Sequence, residues 1–122
     1  MLLNDFFVIS NTESSATEIW AEIIINANHK IFEGHFPNQP VVPGVCMMQM
    51  VKEILESGLA KATRLVSADH LKFLSVIDPQ KNNTVHAETN YTLLATGDIN
   101  VTARLYFNEI TFFKFKGVFT EG

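Results

Sequence analysis

The stretch HKIFEGHFPNQPVVPGVCMMQMVKEILESG, residues 29–58, decides the fold of this chain. Its first part is extended and contains two proline turns, Gly34-His35-Phe36-Pro37 and Asn38-Gln39-Pro40. Its second part, from Pro43 onward, carries apolar residues on nearly every side, which is typical of a buried helix. A rigid, proline-fixed loop that leads one histidine, His35, into a buried helix indicates a functional site.

The helix is predicted to run from Pro43 to about Ser57. Proline suits the first helical turn, because its missing N–H has no partner there, and Gly58 is predicted to be the left-handed C-terminal cap. Gln49 is the lone polar residue in the middle. The apolar residues that surround the axis are Val45, Cys46, Met47, Met48, Met50, Val51, Ile54 and Leu55. The residues predicted to face solvent are Lys52, Glu53 and Glu56.

The remainder of the chain has the patterns of β-strands. Residues 16–27 alternate, so that one face is apolar, and the run 5–10 either pairs with them as a hairpin or forms a short helix. The segments after the helix that have strand character are 65–77, 84–95, 100–107 and 110–119. Their short connections favour antiparallel pairing. We therefore predict one α+β domain over residues 1–122, with a curved antiparallel sheet wrapped around the helix.

Composition restricts the classes of function. The 122 residues are 47% hydrophobic and carry a formal net charge of -4, which argues against nucleic-acid binding. The single cysteine suits a reducing compartment, and we find neither a signal segment nor an apolar run long enough to span a membrane. We expect a cytoplasmic protein.

The segment from Gly34 to Val45, GHFPNQPVVPGV, resembles the signature GHFPGxPxxPGV of the (3R)-hydroxyacyl-[acyl-carrier-protein] dehydratases. These enzymes belong to the hot-dog superfamily, and their signature leads into the central helix. This chain departs from it at Asn38, where the family has glycine. Weaker similarity covers Leu71-Lys72-Phe73 and Phe115-Lys116-Gly117.

The resemblance implies a site shared between two subunits of a homodimer, and higher oligomers also occur. Each site takes a histidine from one subunit and a Glu or Asp from the other. Here the histidine is His35, and the position of the acid, fourteen residues later, is Gln49. Gly34, Phe36, Pro37 and Pro43 would shape the loop. The implied substrate is a 3-hydroxyacyl thioester of acyl carrier protein or of coenzyme A in fatty acid or lipid synthesis, and the reaction requires no cofactor or metal.

Elimination of water from such a thioester needs a base, a stabiliser of the enolate oxygen and a proton for the hydroxyl. His35 suits the base, and the Gly44 and Val45 amides at the helix start suit the oxyanion. A Gln49 amide donates a hydrogen bond but is no acid, and loss of a general acid costs ~10²–10⁴ in rate. Glu53, one turn further along, is an alternative acid.

Gln49 keeps two other functions open. A hot-dog thioesterase could use its amide to orient water, and a non-catalytic acyl-thioester-binding subunit would need no acid.

The remaining candidate residues have simpler interpretations. Cys46 is predicted to be an inert buried thiol, and His29, His70 and His86 lack the spacing of zinc ligands. The side chains that could dock an acidic carrier protein, if they cluster, are Lys30, Lys72, Lys114 and Lys116.

Overall fold

The computed structural model describes residues 1–34 and 41–122. These residues form two helices and six strands. The helices are α1 (Ile31–Gly34) and α2 (Gly44–Leu59). The strands are β1 (Phe7–Ser14), β2 (Glu18–Ile25), β3 (Thr63–Phe73), β4 (Thr84–Leu93), β5 (Ile99–Phe107) and β6 (Ile110–Glu121). The N-terminal run therefore forms the hairpin alternative, with β1 paired antiparallel to β2.

All six strands belong to one sheet in the order β1-β2-β4-β5-β6-β3, and every pair of neighbours is antiparallel. The prediction of a curved antiparallel sheet around a long helix is confirmed. The strand β3 lies at one edge and pairs with β6, because helix α2 and the loop after β3 carry the chain across the sheet. The sequence pattern did not indicate this crossover.

Helix α2 packs against the inner face of the sheet and contacts β2, β3, β4 and β5. The predicted alternation supplies that face, since Ile19, Ala21 and Ile23 are buried on β2. Four phenylalanines of β6 complete the core: Phe112, Phe113, Phe115 and Phe119. None of the described helices is long and apolar enough to cross a membrane.

Three details predicted for the helix are wrong: its C-terminal cap, the exposure of Glu53 and the burial of Val45. The left-handed cap is Ala60, with φ 56°, and not Gly58, which lies inside the helix. Gly58 is there because β2 packs so closely that a Cβ atom would come within 2.6 Å of Cγ1 of Ile19. Glu53 was expected to face solvent but is 1% exposed, whereas Val45, counted among the buried residues, is 77% exposed.

Candidate functional site

Three of the predicted site residues, Pro43, Gly44 and Val45, lie at the start of α2. Gly34 ends helix α1, Pro43 precedes α2, and Gly44 and Val45 are the first two residues of α2. The predicted base His35 and the loop residues Phe36 and Pro37 lie outside the described residues. Their roles therefore stay predictions.

The first turn of α2 contains the backbone amides of Gly44 and Val45, which the sequence predicts to stabilise the oxyanion. Pro43 is extended, with φ -61° and ψ 147°, and its carbonyl oxygen accepts hydrogen bonds from the amides of Cys46 and Met47 at 3.0 and 3.2 Å. Among the described residues, the amides of Gly44 and Val45 donate no hydrogen bond to a loop or turn carbonyl. The positive end of a 16-residue helix dipole adds to their field. These two amides can stabilise a negative oxygen.

The ring of Phe73 lies against this turn. A Cβ atom at Gly44 would come within 2.8 Å of Cζ of Phe73, so a larger residue at position 44 would force the ring to shift. The Phe73 ring also stacks on Phe113, with 5.0 Å between the ring centroids. In this chain the glycine at the helix start therefore lets an aromatic side chain of the edge strand pack closely against it.

Gln49 is joined to a buried carboxylate one turn further along α2. Its Nε2 donates a hydrogen bond to Oε2 of Glu53 at 2.9 Å. The backbone amide of Leu3 donates to Oε1 of Glu53 at 2.7 Å, and the amide of Leu2 lies 3.0 and 2.9 Å from the two oxygens. Three groups thus satisfy a carboxylate that burial would otherwise destabilise.

This network decides how Gln49 is oriented. A carboxylate accepts hydrogen bonds only, so the amide nitrogen of Gln49 must face Glu53 and its oxygen must point elsewhere. The second N–H of the amide is left for another acceptor. Glu53 holds the amide in place, and its own oxygens are engaged by the protein.

Gln49 also lines a cavity of about 460 Å³ between α2 and the first residues of β3. Met48 and Lys52 flank it on the helix, and Arg64 and Leu65 face it from the strand. The cavity lies beside β3, the strand whose outer edge has no neighbour in the described sheet. A second protein chain that pairs with β3 would therefore pass close to Gln49.

Helix α2 covers the inner face of β3 only in part. Leu71 and Phe73 pair with Phe115 and Phe113, which are buried, yet they are themselves 44% and 55% exposed. An edge strand with apolar side chains exposed on its core face is typical of a surface that another chain covers.

The other candidate residues lie apart from this site. Cys46 is buried, and burial raises the pKa of its thiol above the ordinary value of 9.0. His29 contacts Asp5 with 3.1 Å between Nε2 and Oδ2, and His86 contacts Glu22 at the same distance on the outer face of the sheet. Across residues 1–34 and 41–122, no three His, Cys, Asp or Glu side chains gather as a metal site would require.

Sequence reasoning missed the burial of Glu53 and its contact with the N-terminal segment. The available signal was the spacing of Gln49 and Glu53, which places both on one face of an otherwise apolar helix. The partners Leu2 and Leu3 lie about fifty residues away in sequence, and no local pattern points to them.

One long helix against a six-stranded antiparallel sheet is the architecture of the hot-dog proteins. The chain belongs to the ApeI-like family, described as ApeI dehydratase, whose model matches residues 11–97.

Known proteins agree with this assignment. The chain is 31% identical over 71 residues to the 3-hydroxyacyl-[acyl-carrier-protein] dehydratase FabZ of Rickettsia typhi. The alignment covers 52% of this chain and 49% of that protein. It thus spans about half the length of the curated relatives it matches.

Among solved structures, the dehydratase heterocomplex ApeI:P from Xenorhabdus doucetiae is similar with a TM-score of 0.75 and 22% identity, over 93% of this chain and 97% of that chain. A phenylacetic acid degradation-related protein from Ralstonia eutropha, assigned as a thioesterase, has a TM-score of 0.64 and 13% identity, over 93% and 83% of the two chains. Both show the shared fold.

Proposed function

We propose that this protein dehydrates 3-hydroxyacyl thioesters to trans-2-enoyl thioesters, in fatty acid or lipid synthesis. The observation that carries the proposal is the paired Gly44 and Val45 amides at the start of α2, in a chain of a dehydratase family. The substrate thioester is attached to acyl carrier protein or to coenzyme A, and the relatives of the FabZ type support the carrier protein. A single domain over residues 1–122 and a cytoplasmic location are parts of this proposal.

In the proposed reaction, His35 removes the proton next to the thioester carbonyl. The charge that develops on the carbonyl oxygen is stabilised by the amides of Gly44 and Val45. The second N–H of Gln49 donates a hydrogen bond to the 3-hydroxyl group. The carbon–oxygen bond then breaks, and the proton held by His35 leaves with the hydroxyl as water. His35 thus serves both proton steps, since an amide cannot supply a proton.

The proposal includes a homodimer with shared sites. The exposed apolar residues of β3 and the cavity beside Gln49 support pairing of β3 with β3 of a second copy. Sedimentation equilibrium of the Leu71→Lys variant tests it, with Ile110→Lys as the control, because Ile110 is exposed at the β5–β6 turn. We expect a monomer for Leu71→Lys and a dimer for the wild type and the control. A monomeric wild type would contradict the shared site.

The reaction is tested by incubating the purified protein with 3-hydroxybutyryl and longer 3-hydroxyacyl thioesters and measuring the enoyl product. We expect enoyl thioester from the wild type and none from His35→Ala. Equal rates for the two proteins, or no enoyl product from either, would overturn the proposal.

A thioesterase is the second candidate, and Gln49 favours it because an amide can orient a water molecule without acting as an acid. Release of free thiol without enoyl product would assign that activity. Binding of acyl thioester with no turnover would instead assign a non-catalytic subunit.

A further inference from the structure

Four cationic side chains gather on the outer face of the sheet, opposite the face that packs on α2. They are Lys72 of β3, Lys114 and Lys116 of β6, and Arg104 of β5, and they line a cleft of about 340 Å³. On β5 and β6, Arg104, Lys114 and Lys116 alternate with buried residues such as Phe115. Lys72 of β3 lies directly opposite Lys114. Lys30, the fourth lysine considered for docking an acidic carrier protein, does not line this cleft.

The strand register brings like charges directly opposite one another. Lys114 pairs with Lys72 on one side and with Arg104 on the other, and Lys116 pairs with His70. Strands lie about 4.8 Å apart, so the row of three cations spans about 10 Å. Like charges at directly opposite positions destabilise a sheet. An anion bound between them would offset that cost.

Protein carboxylates offset only part of this charge. Glu88 lies beside the row, and its Oε2 accepts a hydrogen bond from Arg104 at 3.1 Å. Among the described residues, Lys72, Lys114 and Lys116 form no salt bridge within 4.0 Å. This local excess of positive charge stands out in a chain whose formal net charge is -4.

The positive surface is compact. It ends at Glu88 on β4, and the neighbouring cleft along the strands contains Asp69. Asn90 and Thr102 add neutral hydrogen-bonding groups at the rim. A row of about 10 Å offers room for about three residues of an extended acidic segment. Two adjacent phosphate groups concentrate more negative charge beside the three lysines, which have no salt bridge among the described residues.

We propose that this cleft binds a soluble molecule that carries a diphosphate group. Lys72 and Lys114 contact one phosphate, and Lys116 contacts the other. The proposal does not depend on the dehydratase activity, since it concerns the opposite face of the sheet.

The experiment titrates the full chain with inorganic pyrophosphate and with ADP, followed by backbone amide NMR. We expect saturable shifts confined to residues 70–72, 102–104 and 114–116, and weaker binding as salt is added. In Lys114→Gln the dissociation constant should rise about tenfold, because one charge-assisted contact is lost. Lys81→Gln removes the same charge from an exposed loop position outside the cleft and should leave binding unchanged.

Thermal unfolding provides a second readout that does not require NMR assignments. Pyrophosphate should raise the unfolding midpoint of the wild type and of Lys81→Gln by the same amount, and that of Lys114→Gln by less. Equal effects on all three proteins would overturn the proposal. Tighter binding of a hexaglutamate peptide than of pyrophosphate would also overturn it and would assign the surface to an acidic protein.

Discussion

Gln49 donates a hydrogen bond from Nε2 to the buried carboxylate of Glu53, with 2.9 Å between the nitrogen and Oε2. The same carboxylate accepts from the backbone amides of Leu2 and Leu3. One side chain thus fixes the orientation of the proposed substrate-contacting amide and fastens the N-terminal segment to the central helix.

Replacing Glu53 by glutamine should lower the free energy of unfolding by about 1–3 kcal/mol, because a buried amide leaves part of this network unsatisfied. Urea denaturation measures the change. Glu109→Gln is the control, since Glu109 is exposed and its replacement should cost less than about 0.5 kcal/mol. An unfolding free energy that is the same for Glu53→Gln and the wild type would mean that the network contributes nothing to stability.

Gln49→Glu should raise the rate of enoyl formation by on the order of 10², the lower end of the contribution of a general acid. The introduced carboxylate would lie beside that of Glu53, and two adjacent carboxylates favour a shared proton, which is then available to the leaving hydroxyl. The double variant Gln49→Glu with Glu53→Gln removes the second carboxylate and should gain less. Steady-state rates for the three proteins test this. A rate for Gln49→Glu at or below that of the wild type would show that position 49 is not the acid site.

The substitutions Gly58→Ala and Ala60→Gly should have opposite effects on the free energy of unfolding. Gly58→Ala introduces a methyl group against buried Ile19 and should cost about 1–2 kcal/mol of stability. Ala60→Gly relieves a left-handed residue and should add up to about 1 kcal/mol. Denaturation midpoints of both variants measure these effects. Stabilisation by Gly58→Ala would contradict the close packing of β2 on α2.

The contribution of Glu22 to the stability of the fold should be lost at acidic pH. The hydroxyl of Ser10 donates to its Oε1 at 2.9 Å and His86 contacts Oε2 at 3.1 Å, and these contacts lower the pKa of Glu22 from its ordinary 4.5. Because the folded pKa is the lower one, the contribution is full above pH 4.5 and is lost as pH falls through the folded value. Thermal midpoints should therefore be higher for the wild type than for Glu22→Gln at neutral pH. They should converge as the pH falls below the lowered pKa of Glu22 in the folded protein. A difference that persists in acid would exclude this cause.

Periodic patterns in the sequence predict those strands and the helix whose burial follows a regular repeat. Alternation marked β2, β4 and β5 because one face of each strand is buried, and the apolar run after Pro43 marked α2. The pairing of β3 with β6 depends on a crossover that leaves no periodic signal in either strand.

The sequence predicts the part of the candidate site that a contiguous motif forms. It does not predict the contacts between segments that are far apart in the chain. The Pro43-Gly44 helix start could be identified in the sequence. The contact of Glu53 with Leu2, and that of Gly44 with Phe73, each join segments far apart in the chain. A charged residue such as Glu53 is expected to be exposed to solvent, and only its hydrogen-bond partners explain its burial.

The most direct measurement of the central claim, a dehydratase site shared by two subunits, is enoyl formation by mixed variants. His35→Ala and Gln49→Ala are each purified, assayed alone, and then mixed under conditions that exchange subunits, with the wild type as reference. A mixed dimer would hold one site in which both His35 and Gln49 are intact, so we predict that the mixture is more active than either variant alone. A mixture no more active than the average of its two components, beside an active wild type, would contradict the shared site. No enoyl product from the wild type would contradict the dehydratase itself.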